Sequence, residues 1–364
     1  MRFPEFTEEW KAEQLDNIAT LSKGIGISKE QLSEDGEPCI LYGELYTKYK
    51  SEIIKQVESK TDINGSKLKR SKANDVIIPC SGETAVDIAT ARCVPFDNIL
   101  FGGDLNVISL HQYDGAFMSY QLNGKRKYDI ARVAQGVSIV HLYGEHLKAI
   151  KTYNPTLPEQ QKIAKLLSLL DDRIDTQNKI IEKLQSLIRG IAQNMVHRGK
   201  PNVRLSDCMI CNSSTLQESE VLESGTYPVY GANGIVGYLD CYATLNEAIY
   251  IIKDGSGVGT VFYVAGKCSA AGTLNTLQAK EGYSLQYLYY LLTVFNFEPY
   301  KTGMAIPHIY FKDYGKAKVF CPSHSEQFKY TKLLSTIDSK LLAEQNALVN
   351  YNLQKQYLLR QMFI

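Results

Sequence analysis

No run of apolar residues approaches the roughly 20 that a helix needs to cross a bilayer, so the sequence predicts no membrane partner. The opening segment, Met1 to Trp10, lacks the apolar core of a secretion signal. Net charge is almost missing as well, because 40 Lys+Arg oppose 39 Asp+Glu. Dividing the chain after Lys200 leaves both halves close to neutral. That balance excludes an obligate polycation coating nucleic acid, while leaving room for local basic patches. Tryptophan occurs once against 24 tyrosines, and the eight cysteines are scattered rather than spaced as a disulfide framework. A reducing, cytoplasmic setting is expected. Apolar residues make up 44% of the chain, which supports packed cores, and its 364 residues suit two or three domains.

Catalytic signatures are equally scarce. Gly255, Gly257 and Gly259 fall one place short of a dinucleotide-binding pattern, and Gly266-Lys267-Cys268 lacks the hydroxyl and upstream glycine of a phosphate loop. Both read as turns between strands. Asn154-Pro155-Thr156 lacks the second proline and the aromatic of an amino-methyltransferase motif and reads as a helix start. Cys208-x-x-Cys211 has no second pair at zinc spacing, and buried thiols are the plainer reading. No carboxylate pair or nucleophile–base set stands out. The sequence therefore predicts no catalytic residue, no metal site and no cofactor within this chain.

What the chain does contain is itself, twice. Sliding Thr156–Met195 by 167 positions superposes Glu159, Gln160, Lys162, Lys165, Leu166, Leu167, Ser168, Asp171 and Met195 on Glu326, Gln327, Lys329, Lys332, Leu333, Leu334, Ser335, Asp338 and Met362. The same offset carries Gly136, Ile139, His141 and Tyr143 onto Gly303, Ile306, His308 and Tyr310. Upstream the register drifts, although Gly103-Asp104-Leu105-Asn106 still resembles Gly272-Thr273-Leu274-Asn275. One module thus appears twice, with a tight downstream block and a loose upstream block.

The tight block predicts a long helix. Thr156-x-x-Glu159 and Ser323-x-x-Glu326 have capping-box spacing, each preceded by a proline. A 4-3 seam then runs through Ile163, Leu167, Leu170, Ile174, Gln177, Ile181, Leu184, Ile188, Ile191 and Met195. The second copy carries Leu334, Ile337, Leu341, Leu348, Leu358 and Met362, with Tyr330, Glu344 and Lys355 interrupting it. About 33 residues at 1.5 Å each give roughly 50 Å, long for a helix serving only its own domain. Connectivity then requires an antiparallel pair with a globular domain at each end and an approximate two-fold axis. The equivalent polar positions Gln177 and Glu344 are expected to meet near that axis and fix register. The loose blocks predict β-rich domains, with short apolar runs such as Val76-Ile77-Ile78 and Ala248–Ile252 bounded by turn residues. The fold class is therefore α+β: two β-rich domains, 1–154 and 199–321, joined by two long antiparallel helices, 155–198 and 322–364.

This pattern resembles the specificity (S) subunit of type I restriction-modification systems over essentially the whole chain. The opening Arg2-Phe3-Pro4-Glu5-Phe6 looks like the start of such subunits. Leu157-Pro158-Glu159-Gln160-Gln161-Lys162-Ile163 through Leu170-Asp171-Asp172-Arg173-Ile174 is similar to the family's central helix. Tyr227-Pro228-Val229-Tyr230-Gly231-Ala232-Asn233-Gly234 and Asp254-Gly255-Ser256-Gly257-Val258-Gly259 resemble a common second target-recognition domain. The first domain departs from the family, with Leu41-Tyr42-Gly43-Glu44 and Ser81-Gly82-Glu83 at the places of its glycine-rich turns.

The resemblance implies a non-catalytic subunit whose two target-recognition domains each read half of a bipartite DNA site. Its helices would set the spacer and dock two modification (M) subunits, which hold S-adenosylmethionine, while restriction (R) subunits complete the assembly. A seam of roughly 50 Å would place half-site centres about 10–15 base pairs apart, at about 3.4 Å per base pair. The expected phosphate contacts are Lys67, Lys69, Arg70, Lys72, Arg126, Lys253, Lys267 and Lys301, with Asn233 and Asn275 at base edges. Asp172, Arg173 and Lys179 are the expected docking positions for M. A protein-binding scaffold that never reads DNA is the alternative, and DNA titration with and without M separates the two.

Overall fold

The computed structural model describes residues 2–364. The chain divides into two compact units, Met1–Asn178 with Asn346–Ile364, and Lys179–Gln345. Each unit therefore takes one β-rich domain together with part of each long helix.

In the first unit, strands β1 (Ala19–Lys23), β2 (Asp75–Pro79), β3 (Arg92–Val94) and β4 (Leu105–Leu110) form an antiparallel sheet in the order β1-β4-β2-β3. Strand β2 is buried on both faces, as its unbroken apolar run requires. Val76 and Ile78 join Leu15, Ile18, Ile108 and Met118 on one side, while Ile77 joins Ile40, Phe101 and Val107 on the other. Helix α1 (Gly115–Asn123) follows β4, and the Asp114 carboxylate caps it by accepting from the Phe117 N–H at 2.7 Å.

The long helix α2 runs unbroken over Leu157–His197, 41 residues. In the second unit, β5 (Met209–Ser213), β6 (Glu247–Ile252), β7 (Val261–Ala265) and β8 (Leu274–Ala279) repeat the first sheet's topology in the order β5-β8-β6-β7. Helix α3 (Leu285–Thr293) follows β8 as α1 follows β4, and is capped by Ser284. Helix α4 spans His324–Gln361, 38 residues. The drifting register of the loose blocks thus conceals a shared fold, because loop lengths changed while strand order did not.

The duplicated Glu-Gln pair at each long helix start does more than cap it. Gln160 donates to the Pro155 carbonyl at 2.8 Å and accepts from the Asp114 N–H at 2.9 Å. Gln327 repeats this with the Pro322 carbonyl and the Ser284 N–H, each at 2.9 Å. Each glutamine therefore clips its long helix to the first turn of the short helix on the sheet. The expected capping boxes need correcting. Glu159 is fully buried and turns to Arg2, accepting two bonds of 2.7 Å. At Ser323 the hydroxyl accepts from the Glu326 N–H at 3.4 Å and donates to its carboxylate at 3.1 Å.

The two long helices are antiparallel. Within the first unit, Asp171 meets Lys355 while Arg173, further along α2, meets Tyr351, further back on α4. Leu167 is fully buried with Phe117, Ile163, Leu358 and Met362, and Leu170 packs against this cluster. Ile174 and Leu348 are half-buried in the same unit, and Gln177 is buried. Within the second unit, Leu334 is fully buried in one core with Ile188, Ile191, Ala192 and Met195. Ile181 is buried there, with Ile337 and Leu341 half-buried. Glu344 pairs with Lys340 along its own helix at 3.6 Å.

Lys355, an interruption of the seam by sequence, is a buried ionic node. Its ammonium lies 2.5 Å from Glu52 and 2.6 Å from Asp171, beside the Tyr120 ring. Burial opposes its charge, yet the two carboxylates outweigh that and raise its pKa. Asp171 also accepts from Tyr120 at 2.7 Å and from Ser51 at 3.0 Å. Its duplicate, Asp338, accepts from Tyr290. Burial raises the Asp338 pKa, and the tyrosine bond only partly opposes it.

Candidate nucleic-acid interface

Each unit carries the same turn beside the end of its central sheet strand. In the first, the chain reverses at Gly136, whose φ is +126°, and the backbones of Gln135 and His141 bond reciprocally at 2.9 and 2.7 Å. In the second, Gly303 has φ +89°, and Thr302 and His308 bond at 2.9 and 2.8 Å. A Cβ at either glycine would lie 2.1 Å from the Ile139 carbonyl oxygen or 2.3 Å from that of Ile306. The duplicated glycine is thereby explained. The first turn is held to the segment after β2 by the Leu142 N–H donating to the Cys80 carbonyl at 2.8 Å. The second is held to the segment after β6 by the Ile309 N–H donating to the Lys253 carbonyl at 2.9 Å. Ser138 and Ile139 border a cleft of about 710 Å³ with Tyr42, Tyr46, Ser81 and Arg92.

The basic cluster of the first unit divides by environment. Lys67 ends an exposed turn at Gly65–Lys67, and Lys72 is also exposed. Lys69 is half-buried in a short strand. Arg70 holds the Glu37 carboxylate through bonds of 2.6 and 3.0 Å, which raise the arginine's pKa and lower the glutamate's. Arg126 is drawn inward. It pairs with Asp129 at 3.2 Å, donates to the Ile364 carbonyl at 3.1 Å and lies over the Tyr153 ring.

In the second unit Lys253 donates to the Ser214 carbonyl at 3.1 Å, and Lys301 to Glu298 at 2.5 Å. Lys267 is exposed over the edge-to-face rings of Tyr227 and Tyr242. Asn233 is exposed in the tight turn between strands Tyr227–Gly231 and Gly234–Leu239. Asn275 must be corrected. It is 3% exposed in the central strand β8, where its Oδ1 accepts from Ser213 at 2.7 Å. Asn106, its counterpart, is buried too and donates to the Leu142 carbonyl at 3.0 Å. Both asparagines fasten their sheets and present nothing to a base edge.

Two of the three docking positions read from charge have partners within the chain. Asp172 pairs with Lys55 at 2.8 Å, and Arg173 stacks on Tyr351 and donates to its hydroxyl at 3.1 Å. Lys179 is exposed. The helices instead expose apolar side chains: Leu166, Leu169, Val349 and Leu353 in the first unit, and Leu187, Phe328, Leu333 and Leu342 in the second. Leu166 and Leu333 are equivalent in the duplication yet lie off the seam.

Among the described residues, no helix is long and apolar enough to cross a membrane, and no three His, Cys, Asp or Glu side chains converge as metal ligands. Cys208 lies 4.0 Å from Cys321, sulfur to sulfur, rather than forming a site with Cys211.

Comparison with known proteins matches these features. The chain shares 31% identity over 98 residues with a putative type I restriction enzyme specificity subunit, S.HindORF215P, of Haemophilus influenzae, covering 26% of each chain. It shares 23% over 177 residues with the EcoprrI specificity subunit of Escherichia coli, covering 48% of this chain and 39% of that one. The matches thus span well under two thirds of these curated relatives. Among solved structures, the S subunit of a type I system from M. genitalium superposes with a TM-score of 0.69 at 19% identity, covering 100% of this chain and 97% of that one. A chain from a structure concerned with complex assembly and conformational transition of the type I R-M system gives 0.57 at 14% identity, covering 98% and 97%. These two likenesses concern the fold. The family described as type I restriction modification DNA specificity domain matches residues 7–186 and again 200–351, and the chain belongs to that family.

Proposed function

We propose that this chain is the DNA-reading, non-catalytic subunit of a type I restriction-modification assembly. Each recognition domain reads one half of a bipartite duplex site, and the long helices set the unread spacer. Two modification subunits carrying S-adenosylmethionine dock on the helices, and restriction subunits join the full complex. The observation that carries this reading is the duplication within a specificity-domain family: two sheets of one topology, each clipped by the same glutamine to a helix of one antiparallel pair. Two copies of one module suit two copies of one partner. The exposed apolar residues on the helices, with Leu166 and Leu333 at equivalent places, supply the docking face. Lys67, Lys69 and Lys72 in the first unit and Lys267 in the second remain the phosphate contacts of this reading, and Asn233 its base contact.

The test is to map methylated adenines in host DNA with the gene present and deleted. A two-part motif that disappears on deletion is the expected result. Unchanged methylation, together with purified chain and M subunits that fail to bind duplex DNA, would instead favour a scaffold that binds protein alone.

A further inference from the structure

The two recognition domains have diverged through most of their length, so the side chains they still share call for an explanation. Gly136 and Gly303 are explained by the left-handed turn they close. Ile139, His141 and Tyr143 are shared with Ile306, His308 and Tyr310; the histidines pack on the tyrosines, and His308 also lies 3.2 Å from the Ile306 carbonyl oxygen, but no core buries the isoleucines and tyrosines. They sit at alternate positions along one extended segment, so they share its outward face. Ile139 is 61% and Ile306 66% exposed, and Tyr143 and Tyr310 are 46% and 47% exposed. The intervening Val140, Leu142 and Ile309 are buried, and Pro307 is half-buried. Buried identities such as Leu105 with Leu274 and Asn106 with Asn275 serve the cores of their sheets, whereas these outward positions keep identity while exposed to solvent. A ligand common to both units is the physical reading.

Charge indicates the class of that ligand. An exposed lysine stands over the outward tyrosine in each unit: Lys23 at 5.7 Å from the Tyr143 ring, and Lys312 at 5.0 Å from Tyr310. The first comes from the end of β1 and the second from two residues beyond its tyrosine, so the copies supply a cation at this place by different routes. The histidine ring packs against the same tyrosine in both, at 6.2 Å and 5.0 Å between centroids. The neighbouring segments differ, with Ser81-Gly82-Glu83 beside one turn and Asp254-Gly255-Ser256 beside the other.

We propose that these twin turns grip the sugar–phosphate backbone of duplex DNA in the same way at both half-sites. The lysine, histidine and tyrosine bind phosphates, and the isoleucine packs on the groove wall. Phosphate and sugar contacts position a protein without carrying sequence. That role suits a surface held constant while the segments beside it diverge. This inference rests on the DNA-reading function proposed above and assigns one surface its sequence-independent part.

The test uses the full chain assembled with its M subunits, and two duplexes, one bearing the mapped site and one scrambled. Three paired variants are compared with wild type: Ile139→Ser with Ile306→Ser, Tyr143→Ala with Tyr310→Ala, and Lys23→Gln with Lys312→Gln. Each pair is expected to weaken binding to both duplexes by a similar factor, about tenfold, with the methylated motif unchanged. The lysine pair should also reduce the slope of log affinity against log salt by about 0.9 for each lysine. Unaltered affinity in all three pairs would overturn the inference. So would a changed methylation motif, which would make the turns readers of bases. Loss of M subunits from the assembly with DNA affinity otherwise intact would overturn it too, assigning the face to protein. Wild-type assemblies that bind neither duplex would refute the DNA-reading function itself. A working wild type with unaffected variants refutes only the assignment of the turns.

Discussion

Asp171 and Asp338 occupy the same place in the two copies, and replacing each by asparagine should have very unequal consequences. Asp171→Asn takes one of two carboxylates from Lys355, whose side chain is only 16% exposed. Breaking a buried pair by removing one partner costs about 3–5 kcal/mol when the remaining charge is left alone. Here Glu52 stays 2.5 Å from the ammonium, so part of that charge remains neutralised. A loss of about 2–3 kcal/mol is expected, or about 30- to 150-fold in the opening equilibrium. Asp338 is a different case, because burial already penalises its ionised form and its bond is to a tyrosine hydroxyl rather than to an ammonium. In Asp338→Asn the new amide would keep an oxygen for the Tyr290 hydroxyl and remove the penalty, so stability should change by no more than about 0.5 kcal/mol. The pH dependence follows with a definite sign. A carboxyl whose folded pKa is raised stabilises the fold below its unfolded pKa, near 4, and loses that contribution as pH rises through the folded value. Asp338→Asn should flatten this part of the profile in the second unit. Hydrogen exchange on the full chain reads both sites separately, through amides around 163–175 of α2 and 330–342 of α4. Equal losses at the two helices, or a greater loss from Asp338→Asn, would refute the reasoning.

Other consequences concern the DNA face. Asn233→Ala should relax one position in one half-site, as read from the methylated motif, because the side chain is exposed in a tight turn. Asn275→Ala should leave the motif intact and lower the stability of the second unit by about 1 kcal/mol, since it removes the bond that Ser213 donates to a buried side chain. Lys67→Ala should reduce the salt slope by about 0.9 without altering selectivity, whereas Arg70→Ala should leave the slope unchanged because Glu37 already holds the guanidinium.

The duplication and the helices were legible because periodicity is a local signal. The 4-3 spacing around Leu167 and Leu334 needs only the sequence within a few turns. What stayed hidden depends on partners distant in the chain. Lys355 looks like a flaw in the seam until Glu52 and Asp171 arrive from elsewhere. Glu159 has the spacing of a cap, but a bidentate arginine near the start of the chain competes better than one backbone N–H. Asn275 is expected at a base edge, but it lies inside the central strand Leu274–Ala279, where its side chain is buried. Arg126 sits in a run of basic residues that suggested a solvated patch, whereas Tyr153 and the Ile364 carbonyl draw it inward. Charge counts locate basic residues, and only the fold says which of them are spoken for.

The first compact unit is assembled from the opening half of the chain and its closing segment, Asn346–Ile364. Leu358, Met362 and Phe363 cover Phe117 and Ile163, and Lys355 neutralises carboxylates made hundreds of residues earlier. A ribosome making this chain therefore presents residues 1–178 before Asn346–Ile364 exists, with an apolar helix face uncovered and Glu52 and Asp171 still without Lys355. Chains halted before Asn346 would leave that apolar face and those acids exposed to chaperones and proteases.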